Sequence, residues 1–155
     1  MIVRPCSRRT AIHRAALAAA LATATLIALA GGASAQDKPA APGAIVKTLL
    51  QATTTADGKA FAYPDGKPLV TARLVELPPG GEIIRHRHAV SPFIYILEGE
   101  LTIASDSMPT QVYKAGDSYI EQAAWHSGRN LGTTPVRLLS VYPSAEGVAL
   151  SERPQ

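Results

Sequence analysis

An all-β sandwich or barrel is the fold class that three features of this chain predict. Short runs of alternating or β-branched residues recur at spacings of about 8 to 12 residues, Gly or Pro stands at most of their junctions, and no long stretch carries the apolar period of an amphipathic helix. At 155 residues the chain has room for one domain with a real core.

Taken in order, the chain opens on a segment that reads as an address rather than a fold. Arg4, Arg8, Arg9 and Arg14 precede an apolar, alanine-rich run over residues 15–30, and Ala33-Ser34-Ala35 fits the small-x-small pattern of signal-peptidase cleavage. Residues 1–35 are therefore expected to be an export signal, the apolar run being too short for a membrane span. Ser7-Arg8-Arg9-Thr10-Ala11-Ile12 partly resembles a twin-arginine signal without the aromatic at Ala11, so general secretory and twin-arginine export both fit, and the destination is the periplasm or the medium. The four arginines leave with the signal, so the 120 residues from Gln36 onward keep 11 of the 15 basic side chains against all 12 acidic ones, a net charge of −1. That excludes the clustered basic face that nucleic-acid binding requires. Cys6, the lone cysteine, also leaves, which removes disulfide, thiolate and lipid-anchor chemistry, and no stable membrane insertion is expected after signal removal.

Residues 36–43, QDKPAAPG, read as a flexible tether, and residues 44–150 as the folded domain. Val46, Leu49 and Leu50 suit a helical face, while Thr53-Thr54-Thr55 favours extension; residues 44–55 lean toward a first strand. Asp57-Gly58 and Pro64-Asp65-Gly66 are turns. Residues 69–77 form a β run with Val70, Ala72 and Leu74 on one face and Thr71, Arg73 and Val75 on the other, ended by Pro78-Pro79-Gly80-Gly81. Further strands are expected over residues 82–88, 93–97, 101–104, 111–114, 118–121 and 135–142, with turns at Glu98-Gly99 and Ala115-Gly116-Asp117.

The chemistry concentrates at His86 and His88. In a strand, residues two apart share a face at about 7 Å, the reach two imidazoles need to grip one metal ion, although an exposed strand with two incidental histidines has the same spacing. His126 is the one other histidine outside the signal. Gly80, His86-x-His88 and Gly99 together resemble the first motif of the cupin superfamily, and Gly116 with His126-x-x-x-Asn130 resembles the second. The resemblance covers residues 80–130 and implies a single-domain jelly-roll β-barrel in which His86, His88 and His126 close a three-nitrogen face around a divalent transition metal, Fe, Zn, Ni, Cu or Mn.

The chain departs from those motifs in three ways. Pro92 occupies the position of the motif glutamate, Gln122 and Ala124 stand where a proline and a glycine are usual, and His126 arrives one residue early. The resemblance thus implies three histidines without their carboxylate, a set that oxygen-activating cupins also use. Glu121 is the candidate replacement, as fourth ligand, general base or acceptor orienting an imidazole, or else a rim carboxylate in solvent. Tyr95, Tyr119 and Trp125 are candidate pocket walls, though strand aromatics commonly serve as core. Arg85 and Arg87 alternate with the histidines and should point away from them, and Asn130 suits a loop-holding role.

Two functions follow. One is an exported metalloprotein that binds or transforms a small anionic metabolite, in the manner of a dioxygenase, isomerase or lyase. The other is a metal-free small-molecule-binding or structural barrel, with homodimerisation through edge strands compatible with either. Mass spectrometry of the exported protein is expected to show a chain starting near Gln36; an intact Met1 on exported protein would contradict the signal.

Overall fold

The computed structural model describes residues 43–155, so the export signal and all of the tether except Gly43 lie outside the described residues. Eight strands follow one another: β1 (Pro68–Leu77), β2 (Glu82–His86), β3 (Phe93–Glu98), β4 (Glu100–Ser105), β5 (Gln111–Lys114), β6 (Ser118–Ile120), β7 (His126–Arg129) and β8 (Val136–Ala145). No described residue is helical. The strands form two antiparallel four-stranded sheets, ordered β1-β8-β3-β6 and β2-β7-β4-β5. This is the jelly-roll barrel that the motifs imply.

Alternation decides which side of each strand faces inward. In β8, Val136, Leu138, Ser140 and Tyr142 are buried while Arg137, Leu139, Val141 and Pro143 are partly exposed, the period-two pattern of a strand with one face on a core. Ile94 and Ile96 of β3, Leu101 and Ile103 of β4, Leu77, Tyr119, Val136 and Leu138 pack together as the buried apolar cluster. Thr71, Arg73 and Val75 pair with Tyr142, Ser140 and Leu138, so this row of β1 is the inward one. Its opposite row leaves Val70 and Leu74 exposed on a sheet edge.

Two expectations need correction. Residues 44–53 form no strand: Ile45 and Val46 lie exposed, and the segment is tied down by single bonds, Ser118 Oγ to the Leu49 carbonyl at 2.7 Å and the Ala56 amide to the Ile120 carbonyl at 2.8 Å. Thr54 makes one isolated bridge to Ala60, and then the chain turns at Asp57, which leaves no ladder to extend. Conversely, β7 has no apolar alternation to announce it. Its inward positions are His126 and Gly128, and a Cβ on Gly128 would meet the Ile103 and Ile83 methyls at 3.2 and 3.4 Å, so the neighbours already fill the space a side chain would take.

Gly99 closes the tight β3–β4 turn at φ 77°, and a Cβ there would lie 2.5 Å from the Pro135 carbonyl oxygen. Both the left-handed backbone and the fixed neighbour oppose any side chain. Gly99→Ala should therefore cost about 1–3 kcal/mol of stability, read as a lower urea midpoint; an unchanged midpoint would show that the turn relaxes freely.

Candidate metal centre

A bulge in β2 aims the first two histidines. Ile83 faces Gly128 and His86 faces His126, so Ile84 and Arg85 together stand opposite Ser127 alone. The extra residue turns Ile83 and His86 to the same side despite their odd spacing, and both line the cavity. His88 follows two residues later on that side. Arg85 and Arg87 go the other way, as their alternation predicts: Arg85 pairs with Asp106 and Arg87 with Glu152, and their guanidinium carbons lie 5.8 and 4.9 Å from the Trp125 ring centroid.

His126 enters from β7, so two segments distant in sequence meet. Ring centroids stand 4.8 Å apart for His86 and His88, 4.3 Å for His86 and His126, and 5.1 Å for His88 and His126. One ligand atom from each lies within 4.8 Å of the others. Which nitrogen that is follows from the opposite edge of each ring. His86 Nδ1 donates to the Ile84 carbonyl at 2.8 Å, His88 Nδ1 to the Leu150 carbonyl at 2.8 Å, and His126 Nδ1 to the Ala124 carbonyl at 2.7 Å. A carbonyl can only accept, so each neutral ring carries its proton on Nδ1 and offers an Nε2 lone pair.

Glu121 completes the cluster. It is buried, with one carboxylate oxygen 3.1 Å from His88 Nε2 and the other 3.3 Å from His126 Nε2, the latter without hydrogen-bond alignment. Its amide donates to the Pro92 carbonyl at 2.9 Å, so the carboxylate arrives from the end of β6, beside the position where the motif glutamate would stand. The implied carboxylate-poor site is thereby corrected: Pro92 is fully buried and cannot bind a metal through its side chain, but the adjacent strand supplies the carboxylate. Glu121 is no solvent-facing rim residue.

Electrostatics follow this geometry. Burial pushes the Glu121 carboxyl up, but hydrogen bonding and charge from His126 and His88 outweigh it and hold the group at about 2. Burial lowers the His126 imidazole, yet Glu121 more than offsets this and raises it. His86 is lowered, chiefly by burial. In the metal-free cluster Glu121 is thus favoured as the carboxylate, and its charge favours a proton on His126.

A cavity of about 180 Å³ opens from the cluster. Of the three aromatics singled out, Tyr119 lines it, with its ring stacked on Tyr113 at 3.8 Å and its hydroxyl buried without a partner. Tyr95 and Trp125 do not. Tyr95 alternates with inward Ile94 and Ile96, and Trp125 lies outside under the two arginines. Arg73, Ser140 and Tyr142, which sequence reasoning did not select, do line it; their strands' period-two alternation was the available signal. Asn130 holds the loop, donating to the Leu77 and Thr134 carbonyls at 3.1 and 2.8 Å and accepting from the Gly132 amide at 3.0 Å.

The family model described as Cupin domain matches residues 73–142. Residues 73–142 form a cupin domain. The matched span of this cupin domain runs from Arg73 to Tyr142, two side chains that both line the cavity and stand 5.4 Å apart from guanidinium carbon to ring centroid. Among curated relatives, the "Phomopsin biosynthesis cluster protein C'" of Diaporthe leptostromiformis is 32% identical over 74 residues, 48% of this chain and 38% of that protein, so the cupin spans about two-fifths of that relative's length. Among solved structures, the oxalate decarboxylase of Lactobacillus farciminis in its formate complex is 27% identical, with 54% of this chain and 26% of that one covered at a TM-score of 0.46. An uncharacterised double-stranded β-helix protein of Klebsiella pneumoniae is 22% identical, with 66% of this cupin and all of that chain covered at a TM-score of 0.46.

In metal-free protein the raised His126 contributes stability below its ordinary 6.5, lost as pH rises through its folded value, while the lowered Glu121 contributes above its ordinary 4.5, lost as pH falls toward 2. The two overlap between 4.5 and 6.5. Thermal melts in chelator should show wild type exceeding Glu121→Gln most within that window, with the gap narrowing as pH rises through the folded value of His126. A gap independent of pH would mean that Glu121 and His126 do not act as a charge pair.

Proposed function

We propose that this cupin is an exported protein whose His86, His88, His126 and Glu121 hold one divalent transition-metal ion, and that the cavity beside it takes up a small anionic metabolite. The observation that carries this reading is the commitment of all three Nδ1–H groups to the carbonyls of Ile84, Leu150 and Ala124, which leaves three Nε2 lone pairs converging near a buried carboxylate. Lone pairs on nitrogen facing lone pairs on oxygen repel unless a proton or a metal cation lies between them. Backbone acceptors behind metal-binding imidazoles are the usual device for fixing tautomer and orientation.

Three imidazoles and one carboxylate suit Fe, Zn, Ni, Cu or Mn, whereas Mg and Ca prefer all-oxygen sites. Such an ion, when bound, supplies Lewis acidity to an oxygen of the metabolite. The chain's own residues do the rest. Glu121 cancels one unit of charge, the backbone carbonyls of Ile84, Leu150 and Ala124 hold the three rings, the Tyr119 side chain lines the cavity with its hydroxyl buried and unpartnered, and Ile94 and Leu138 keep its wall dry. Arg4, Arg8, Arg9, Arg14 and Ala33-Ser34-Ala35 support export.

Protein purified from the periplasm and dialysed is expected to carry one transition-metal ion per chain by elemental analysis, and His126→Ala to lose it. Glu121→Gln should weaken Mn(II) binding by about 10- to 100-fold. Wild type without metal that also fails to bind Zn(II), Mn(II) or Fe(II) in calorimetry would overturn the reading in favour of the metal-free barrel. The stabilisation by added Zn(II) should be present at pH 7.5 and fade toward pH 5, because protons compete for the Nε2 lone pairs.

A further inference from the structure

Of the six arginines among the described residues, Arg129 of β7 is exposed and does not line the cavity, and the other five divide into two groups. Arg85, Arg87 and Arg137 each reach a carboxylate, on Asp106, Glu152 and Glu76 respectively. Arg73 and Arg153 line the cavity and reach none among the described residues. Arg73 stands on the inward row of β1, opposite Ser140, with its guanidinium carbon 5.4 Å from the Tyr142 ring centroid. The other face of this relationship is chemical: Tyr142 lies 5.6 Å from the His88 ring, so a single tyrosine separates the free guanidinium from the histidine cluster.

Two hydroxyls add to this polarity. Tyr119 Oη and Ser140 Oγ are buried with no aligned hydrogen-bond partner, and both residues line the cavity. Burial and the charge of Glu121 raise the Tyr119 phenol well above its ordinary value, so it stays a donor. Buried donors without partners are costly unless a ligand or water accepts from them. The remaining walls, among them Val75, Ile83, Ile94 and Leu138, are apolar. About 180 Å³ is small against the roughly 300–1,000 Å³ of sites for drug-sized ligands, which restricts the occupant to a short molecule.

We propose that Arg73 anchors the carboxylate of a short-chain organic acid in this cavity, its carbon chain lying between Val75, Ile94 and Leu138 and its remaining oxygen atoms turned toward the Glu121–histidine cluster. The inference deepens the proposed function and rests on it for the orientation of the ligand. Guanidinium geometry matches a carboxylate through two parallel hydrogen bonds. A divalent ion less the charge of Glu121 leaves one positive unit, and Arg73 and Arg153 add two more, so the cavity selects an anion. Inorganic phosphate fits less well, because its oxygens would face the apolar walls on most sides.

The test uses 2-oxobutanoate as probe, with 2-oxobutanamide as its neutral counterpart and inorganic phosphate as a second anion. Calorimetry is run on metal-free and Zn(II)-loaded protein for wild type, Arg73→Gln and Arg73→Lys, with Zn(II) binding measured separately on each and on His126→Ala. Wild type should bind 2-oxobutanoate more tightly than the amide or phosphate. Arg73→Gln should weaken it by about 10- to 100-fold, Arg73→Lys by less, and the Zn(II) affinity and amide binding of both variants should match wild type. Equal 2-oxobutanoate affinity in wild type and Arg73→Gln, tighter binding of phosphate, or no binding of 2-oxobutanoate to wild type would each overturn the role of Arg73. Failure of Zn(II) to bind wild type, or equal binding to His126→Ala, would instead overturn the metal centre, while loss of 2-oxobutanoate binding in Arg73→Gln would still identify the anchor.

Discussion

The site depends on one constraint: three imidazoles have already given their Nδ1–H protons to backbone carbonyls. Once His86, His88 and His126 are held by Ile84, Leu150 and Ala124, their Nε2 lone pairs have nowhere to turn, and Glu121 adds negative charge against two of them. The cluster is complementary to a positive charge at its centre. In metal-free protein a proton on His126 serves this need at acid pH; a divalent ion would meet it without protonating a ring.

Each of those carbonyls is placed by a separate element of the fold. The β2 bulge positions Ile84 behind His86, and the short loop between β6 and β7 brings Ala124 behind His126. Leu150 belongs to the chain after β8, which returns to β2: Arg87 and Glu152 exchange backbone hydrogen bonds of 3.1 and 2.9 Å and their side chains also pair. The outward arginine thus helps to orient the inward histidine one residue away. An exposed ion pair contributes little by itself, so the backbone bridge and the contact with Trp125 share the task of holding this segment.

The carboxylate shows how neighbouring strands of a barrel can present the same kind of group to one point. Neighbouring strands lie about 4.8 Å apart, so a side chain one strand over can reach the same ion as the residue it replaces. Pro92 and Glu121 are linked by a backbone hydrogen bond of 2.9 Å, and the exchange moves the carboxylate from the start of β3 to the end of β6. The cavity is then lined by Glu121, the histidines and an unpaired guanidinium, a charge layout that neither motif describes.

Sequence alone determined the all-β class, most strands, the family resemblance and the three histidines, because period-two alternation, turn glycines and H-x-H spacing are local properties of the chain. It also separated Arg85 and Arg87 from the histidines, and grouped Arg73 with Thr71 and Val75. It could not reveal β7, whose inward positions carry a histidine and a glycine in place of apolar residues, nor show that residues 44–53 form no strand. Tertiary structure alone decided that Glu121 is buried against His88 and His126, that Tyr119 faces the cavity while Tyr95 and Trp125 do not, and that the exposed Arg73 lines the cavity. Alternation says which residues share a face. Which face is the inside, and which strand lies next to it, depends on pairings between segments far apart in the chain, and these are set only when the two sheets close on one core.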